Sequence, residues 1–174
     1  VSYGVTGPTC VDMLGDLTSN DIAGKYIGRQ PCCHLIAAGV NDPWVDGVDG
    51  ATTHTRYKAI FDSLASTNPN DYRVAVTVPQ RGDTGTYPTA QVTAAINDAN
   101  TLIRANWQSY AHELVDVVAG DARWLDPTSA LYDSSPSPGV HFSTAGNDAY
   151  ASAIDITAIL ARAQAHVSRI WLAS

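Results

Sequence analysis

His34-Leu35-Ile36-Ala37-Ala38-Gly39-Val40-Asn41-Asp42 is the stretch on which the fold turns. His34 to Ala38 is a continuous apolar run, the pattern of a strand buried on both faces. Gly39 ends it, and a turn signal of Asn41, Asp42 and Pro43 opens a loop that runs to Gly50. A second such run, Arg73-Val74-Ala75-Val76-Thr77-Val78, is β-branched and is stopped by Pro79. Between the two, Tyr57, Ile60, Phe61 and Leu64 recur at helical spacing and predict a helix over 53–66. Val92, Ala95, Ile96, Ala99, Leu102, Ile103 and Trp107 form a longer stripe of the same period. Leu114 to Val118 is a third strand-like run, and 120–139 carries no period and reads as a loop. At the start, Val1 to Thr6 reads as a strand, broken by Gly7-Pro8 ahead of a helix through Met13 and Leu14. The last helix is predicted from Ser143, with Ser143 or Thr144 as its cap, through Tyr150, Ile154, Ile159 and Val167.

Strands alternating with helices predict an α/β fold: a doubly wound, mostly parallel sheet with helices on both faces and ligands at the carboxyl ends of the strands. A length of 174 residues suits one such domain, 1–174. With 45% hydrophobic and 16% charged residues, the chain has the composition of a folded domain. A formal net charge of -7, with 10 Lys and Arg in no run, argues against a nucleic-acid partner. The longest apolar-rich segment, 149–165, is interrupted by Ser152, Asp155, Thr157, Arg162 and Gln164, so no membrane span is expected. The chain opens inside a strand and without a charged leader, which suggests that its domain begins upstream of Val1.

The three cysteines, Cys10, Cys32 and Cys33, lack the second Cys or His pair of a zinc motif. They read as buried thiols, or as a bridge from Cys10 to Cys32 or Cys33 in an oxidising compartment. A secreted or extracellular location fits the composition.

Three positions carry candidate chemistry. Asn41 lies at the carboxyl end of a predicted strand, where its carboxamide can aim a donor into a cleft. Gly7 follows the first strand and offers an unshielded backbone N–H, the second donor of an oxyanion hole. His141 stands between the long loop and the last helix, where a neutral imidazole can act as a general base. Read singly, each is as well explained by a turn or an exposed histidine, and His34, His54, His112 and His166 take the structural reading.

Together these residues carry a resemblance. Tyr3-Gly4-Val5-Thr6-Gly7-Pro8-Thr9 resembles the second motif block of the SGNH (GDSL) hydrolases, Gly39-Val40-Asn41-Asp42 the third, and the run from Gly139-Val140-His141-Phe142-Ser143 to Tyr150 the fifth. The order and separations of the blocks agree with that family. The resemblance implies a flavodoxin-like α/β fold and a serine ester hydrolase, esterase- or lipase-like, acting on acetyl or short acyl esters of a small-molecule, carbohydrate or lipid substrate. It implies an oxyanion hole from Gly7 and Asn41, with His141 as the base, and no metal or cofactor.

Two departures qualify it. The Gly-Asp-Ser block that holds the family's nucleophile should precede Gly7, and it does not occur there. Gly15-Asp16-Leu17 and Gly82-Asp83-Thr84 imitate it only superficially and lie downstream. Nothing in the sequence activates Cys10 as a substitute. The Ser is therefore expected outside this segment, on a first strand supplied by another segment or chain. The second departure is Pro138, three residues before His141, where the family carries an Asp that orients the imidazole. Asp133 or a main-chain carbonyl must take that part. The competing reading is a noncatalytic binding or structural module of the same fold, and the residues encoded upstream of Val1 discriminate between the two.

Overall fold

A computed structural model describes residues 9–19, 31–82, 87–134 and 139–173 of the chain. The predicted first strand, Gly7 and Pro138 lie outside the described residues. Within them the order is α1 (Cys10–Ser19), β1 (Cys33–Ile36), α2 (Asn41–Asp46), α3 (Gly50–Thr67), β2 (Tyr72–Val76), α4 (Thr89–Asn106), β3 (Glu113–Val115), α5 (Val117–Gly120), α6 (Thr144–Ala153) and α7 (Ile156–Ala173). Short 3-10 turns follow at Trp107–Ser109 and Ala122–Leu125.

The described strands form a parallel sheet in the order β1-β2-β3. Its side chains alternate between two helical layers, as the pleat requires. Ile36, Ala75 and Leu114 pack with Tyr57, Phe61 and Leu64 of α3 and with Ile96 and Ile103 of α4. Val74 faces Ile159 and Ala163 of α7, and Val76 faces Val117, Trp124 and Leu131. The expected α/β architecture, a parallel sheet covered by helices on both faces, is thus the observed one. Each fully buried Ile, Leu or Phe of these layers contributes about 1.5–3 kcal/mol against exposure.

Several boundaries differ from expectation, each for a local reason. The β1 strand is only half-buried along its length, because among the described residues it pairs with β2 alone and forms the edge. The β2 strand stops at Val76 rather than Val78. Beyond it, the Asn100 carboxamide accepts from Val78 N–H and donates to Val78 C=O, both at 2.7 Å, replacing a strand partner with a side chain of α4. The β3 strand ends two residues before Val117, because the Asp116 carboxylate accepts from Ala119 N–H and caps a helical turn there.

The stretch expected as loop after Asn41 holds a short helix, α2, with Pro43 in its first turn and Gly47 closing it at φ 67°. The single C-terminal helix is two: Asp155 accepts from Ala158 N–H and starts α7 anew. Ser143 is the cap of α6, accepting from Gly146 N–H. At α1, Thr9 and Asp12 form a reciprocal box, Thr9 N–H to Asp12 Oδ2 and Asp12 N–H to Thr9 Oγ1.

All three cysteines are free thiols, so the bridge considered for Cys10 is not formed. Cys10 packs in the α3–α4 layer, whereas Cys33 packs against the α7 layer across the sheet. Among the described residues no helix is long and apolar enough to cross a membrane.

Candidate active site

Asn41 sits where the sequence predicts, just past the carboxyl end of β1 and in the first turn of α2. Gly39, at φ 105°, makes the turn that brings it there, a backbone conformation that costs a glycine nothing. Asn41 is buried, and its Oδ1 accepts from a guanidinium nitrogen of Arg81 at 2.6 Å. Arg81 in turn lies over the Trp44 ring, 3.8 Å from its centroid. An arginine has only donors, so the contact assigns the carboxamide: oxygen toward Arg81, and nitrogen, with its two protons, on the other side.

Asp42 has a structural part. Its fully buried carboxylate accepts from Cys10 N–H at 2.9 Å, the first N–H of α1, and from Arg56 at 3.3 Å. It thereby ties α1 to the start of α2. The same carboxylate bears on Cys10. Burial, with Asp42 beside it, pushes that thiol far above its ordinary range, the reverse of an activated nucleophile.

Arg81 belongs to the segment leaving β2, which continues toward the His141 loop. Gln80 N–H donates to Trp124 C=O at 3.0 Å, and Gly82 N–H to Gly139 C=O at 3.1 Å. The residues around His141 are held by a short antiparallel ladder with 131–133. Tyr132 pairs with Phe142, Asp133 N–H donates to His141 C=O at 2.9 Å, and Ser143 N–H donates to Leu131 C=O at 2.9 Å. This register sets Asp133 across from His141. A further bond, Gly139 N–H to Asp133 C=O at 3.0 Å, closes the turn.

Trp124 meets Tyr132, Phe142 and Tyr150 edge-on beneath the ladder, and Phe142 lies tilted against Tyr150. Gly146 leaves no room there: a Cβ on it would come 1.9 Å from Leu131 C=O. The His141 side chain is exposed and lines an open hollow of about 340 Å³ with Val140, Phe142 and Asn147.

The structure therefore brings Asn41, Arg81 and the His141 loop into one connected chain of contacts leading from the carboxyl edge of the sheet. Gly7 is outside the described residues, as is Pro138. Arg81 was missed in the sequence. Its position just after Pro79, on a predicted strand's exit, was the available signal, and it was overshadowed by the Gly-Asp pair that follows it. The sequence places Asp133 only in the same loop as His141, and the ladder register that sets it across from His141 is tertiary information.

No protein-family model matches the chain, and no curated protein does. Among solved structures, it is similar to a carbohydrate esterase family 3 protein from Talaromyces cellulolyticus, at 18% identity and a TM-score of 0.65 over 90% of this chain and 69% of that one. It is also similar to a serine-to-alanine variant of an acetyl esterase with an acetate ion, at 19% identity and a TM-score of 0.66 over 91% and 70%. At this level of identity the likeness is one of fold, and the chain shares the α/β architecture of these two structures.

Proposed function

We propose that this chain carries the helper residues of an ester hydrolase acting on acetyl or other short acyl esters, carbohydrate esters foremost. The observation that carries the reading is the Asn41–Arg81 contact at the sheet's carboxyl edge, in a segment bonded onward to the loop of His141.

In the proposed mechanism a Ser outside this segment, on a strand supplied by another segment or chain, attacks the acyl carbonyl. His141 takes the Ser proton and later returns it to the leaving alcohol. The negative charge on the carbonyl oxygen is met by the Asn41 Nδ2–H and the Gly7 N–H. Arg81, by holding Oδ1, keeps the Asn41 donor aimed at that oxygen and adds positive charge behind it. Asp133, opposite His141, takes the orienting part that Pro138 cannot. Water then attacks the acyl-enzyme along the same route in reverse. The edge of β1 away from β2 is where the strand that holds the Ser would pair. The two solved neighbours, a carbohydrate esterase and an acetyl esterase, support this choice of substrate class.

The test is fluorophosphonate labelling, read by intact mass, of this chain and of the same chain extended by the residues encoded upstream of Val1, each with and without His141→Ala. An adduct on the extended protein that His141→Ala abolishes supports the proposal. No adduct on a folded extended protein would leave the noncatalytic module as the correct reading. A His141-dependent adduct on the 174-residue chain itself would show that the Ser lies within it.

A further inference from the structure

At the amino ends of the strands, away from Asn41 and His141, a second constellation stands. We infer that Cys32, His34 and Asp71 form a binding site for a divalent transition-metal ion, zinc by the character of its donors.

The site follows from strand geometry. Cys32 and His34 are two residues apart at the start of β1, so they project to the same side. The β1–β2 register pairs Cys33 with Tyr72, which sets Asp71 opposite Cys32. The thiol, imidazole and carboxylate each offer one ligand atom, and these atoms all lie within 4.8 Å of one another.

The carboxylate is already positioned for such a role. Asp71 is wholly buried, and its Oδ1 is occupied by Cys32 N–H at 2.7 Å and by Asn68 Nδ2–H at 2.9 Å. Its Oδ2 is directed at His34 Nε2, 2.8 Å away. A buried carboxylate draws compensating positive charge, of which the nearby Arg73 guanidinium, bonded to the Asp71 main-chain oxygen at 3.1 Å, gives part. A cation between Oδ2 and Nε2 adds to that charge.

The geometry accommodates it. With metal–oxygen and metal–nitrogen bonds of about 2.0 Å, a tetrahedral ion separates the two ligand atoms by about 3.3 Å, so the present contact must open by roughly half an ångström. Sulfur and nitrogen donors disfavour calcium and magnesium, and one thiolate, one imidazole and one carboxylate suit zinc. Cys32 and His34 are partly exposed, which leaves a fourth position to water. On binding, the thiol proton passes to solvent, the imidazole carries its proton on Nδ1, and a sulfur–metal bond forms with no change of oxidation state. The ion pins the entry of β1 to the turn before β2. The site stands independently of the esterase reading.

No pattern of Cys or His pairs reveals it, because Asp71 comes from the turn before β2, far along the chain. The test is titration of the purified chain with cobalt(II) as a spectroscopic stand-in, together with zinc binding followed by native mass and thermal melting. The expected result is one ion per chain, a sulfur-to-cobalt charge-transfer band, and a higher Tm with zinc. Cys32→Ser, folded by circular dichroism, should lose the band and lower zinc affinity by at least about a hundredfold, more than an outer-shell change costs. Cys33→Ser should keep both, since Cys33 packs toward α7. Absence of the band and of any Tm response in the unaltered chain would overturn the inference, as would a band that survives Cys32→Ser.

Discussion

Arg81 holds the carboxamide oxygen of Asn41 at 2.6 Å while its own guanidinium lies over the Trp44 ring. The arrangement fixes which way the amide oxygen is turned. Without it the amide loses a contact that sets its orientation, which weakens the donor at the place where negative charge is proposed to develop. In the active protein, Arg81→Leu should lower kcat by about 10- to 100-fold, less than removal of an oxyanion donor itself, with little change in KM. Arg81→Lys, which keeps one donor and the charge, should restore part of the loss. Equal loss in both variants, carried by KM, would mean that Arg81 binds substrate instead of positioning Asn41.

Asp133 lies across the ladder from His141, the residue proposed as the base. If its carboxylate orients the imidazole, Asp133→Asn should cost about 100-fold or more in kcat, toward the 10⁴ seen for the corresponding change in the serine-protease triad. Pro138→Asp places a carboxylate at the position the SGNH family uses. In that background the cost of Asp133→Asn should be small. Steady-state rates of the four proteins decide it, and an unchanged kcat in Asp133→Asn would assign the orienting part to a main-chain carbonyl.

Tyr57 is the polar rivet of the core. Its hydroxyl accepts from Val76 N–H at 2.9 Å and lies 3.0 Å and 3.1 Å from the carbonyl oxygens of Ile36 and Val76, at the carboxyl ends of β1 and β2. Burial pushes the phenol well above its ordinary range, so it remains a neutral donor. Tyr57→Phe leaves that N–H unpaired in the core and should cost about 1–3 kcal/mol in urea unfolding, with an unchanged m-value.

His112 predicts a pH dependence of stability. Burial first, then the charges of Arg73 and His166, push its imidazole down to about 4. Its Nδ1 accepts from Arg73 N–H, and its ring stacks on Tyr72 and meets His166 edge-on. The unfolded chain takes up the proton near the ordinary value of about 6.5 and the folded chain only near 4, so unfolding binds the extra proton between these values. Stability should therefore fall as pH drops from about 6.5 to about 4 and this contribution should level off below. His112→Asn, whose Oδ1 can accept from the same N–H, should flatten the slope of Tm against pH in that window. His54 and His166 are shifted in the same direction and should retain part of it.

Strand and helix order was legible in the sequence because buried parallel strands and helices with one buried stripe leave different periods, and 34–38, 73–78 and the stripes around Tyr57 and Ile96 have them. Asn41 and His141 were legible because turn chemistry places them at strand and helix ends. The β3 strand is ended locally, by the Asp116 carboxylate that caps a turn at Val117 and Val118, but β2 stops where a partner distant in the chain, Asn100, takes over from the sheet at Val78. No window of local sequence contains both members of such a pair. The same holds for the contacts that matter most to chemistry. Arg81 reaches Asn41 from 40 residues away and Asp71 reaches His34 from 37. The sequence by itself determined which segments become the main strands and helices. The tertiary structure decided which side chains meet, because parallel strands are joined through helices that carry interacting residues far apart along the chain.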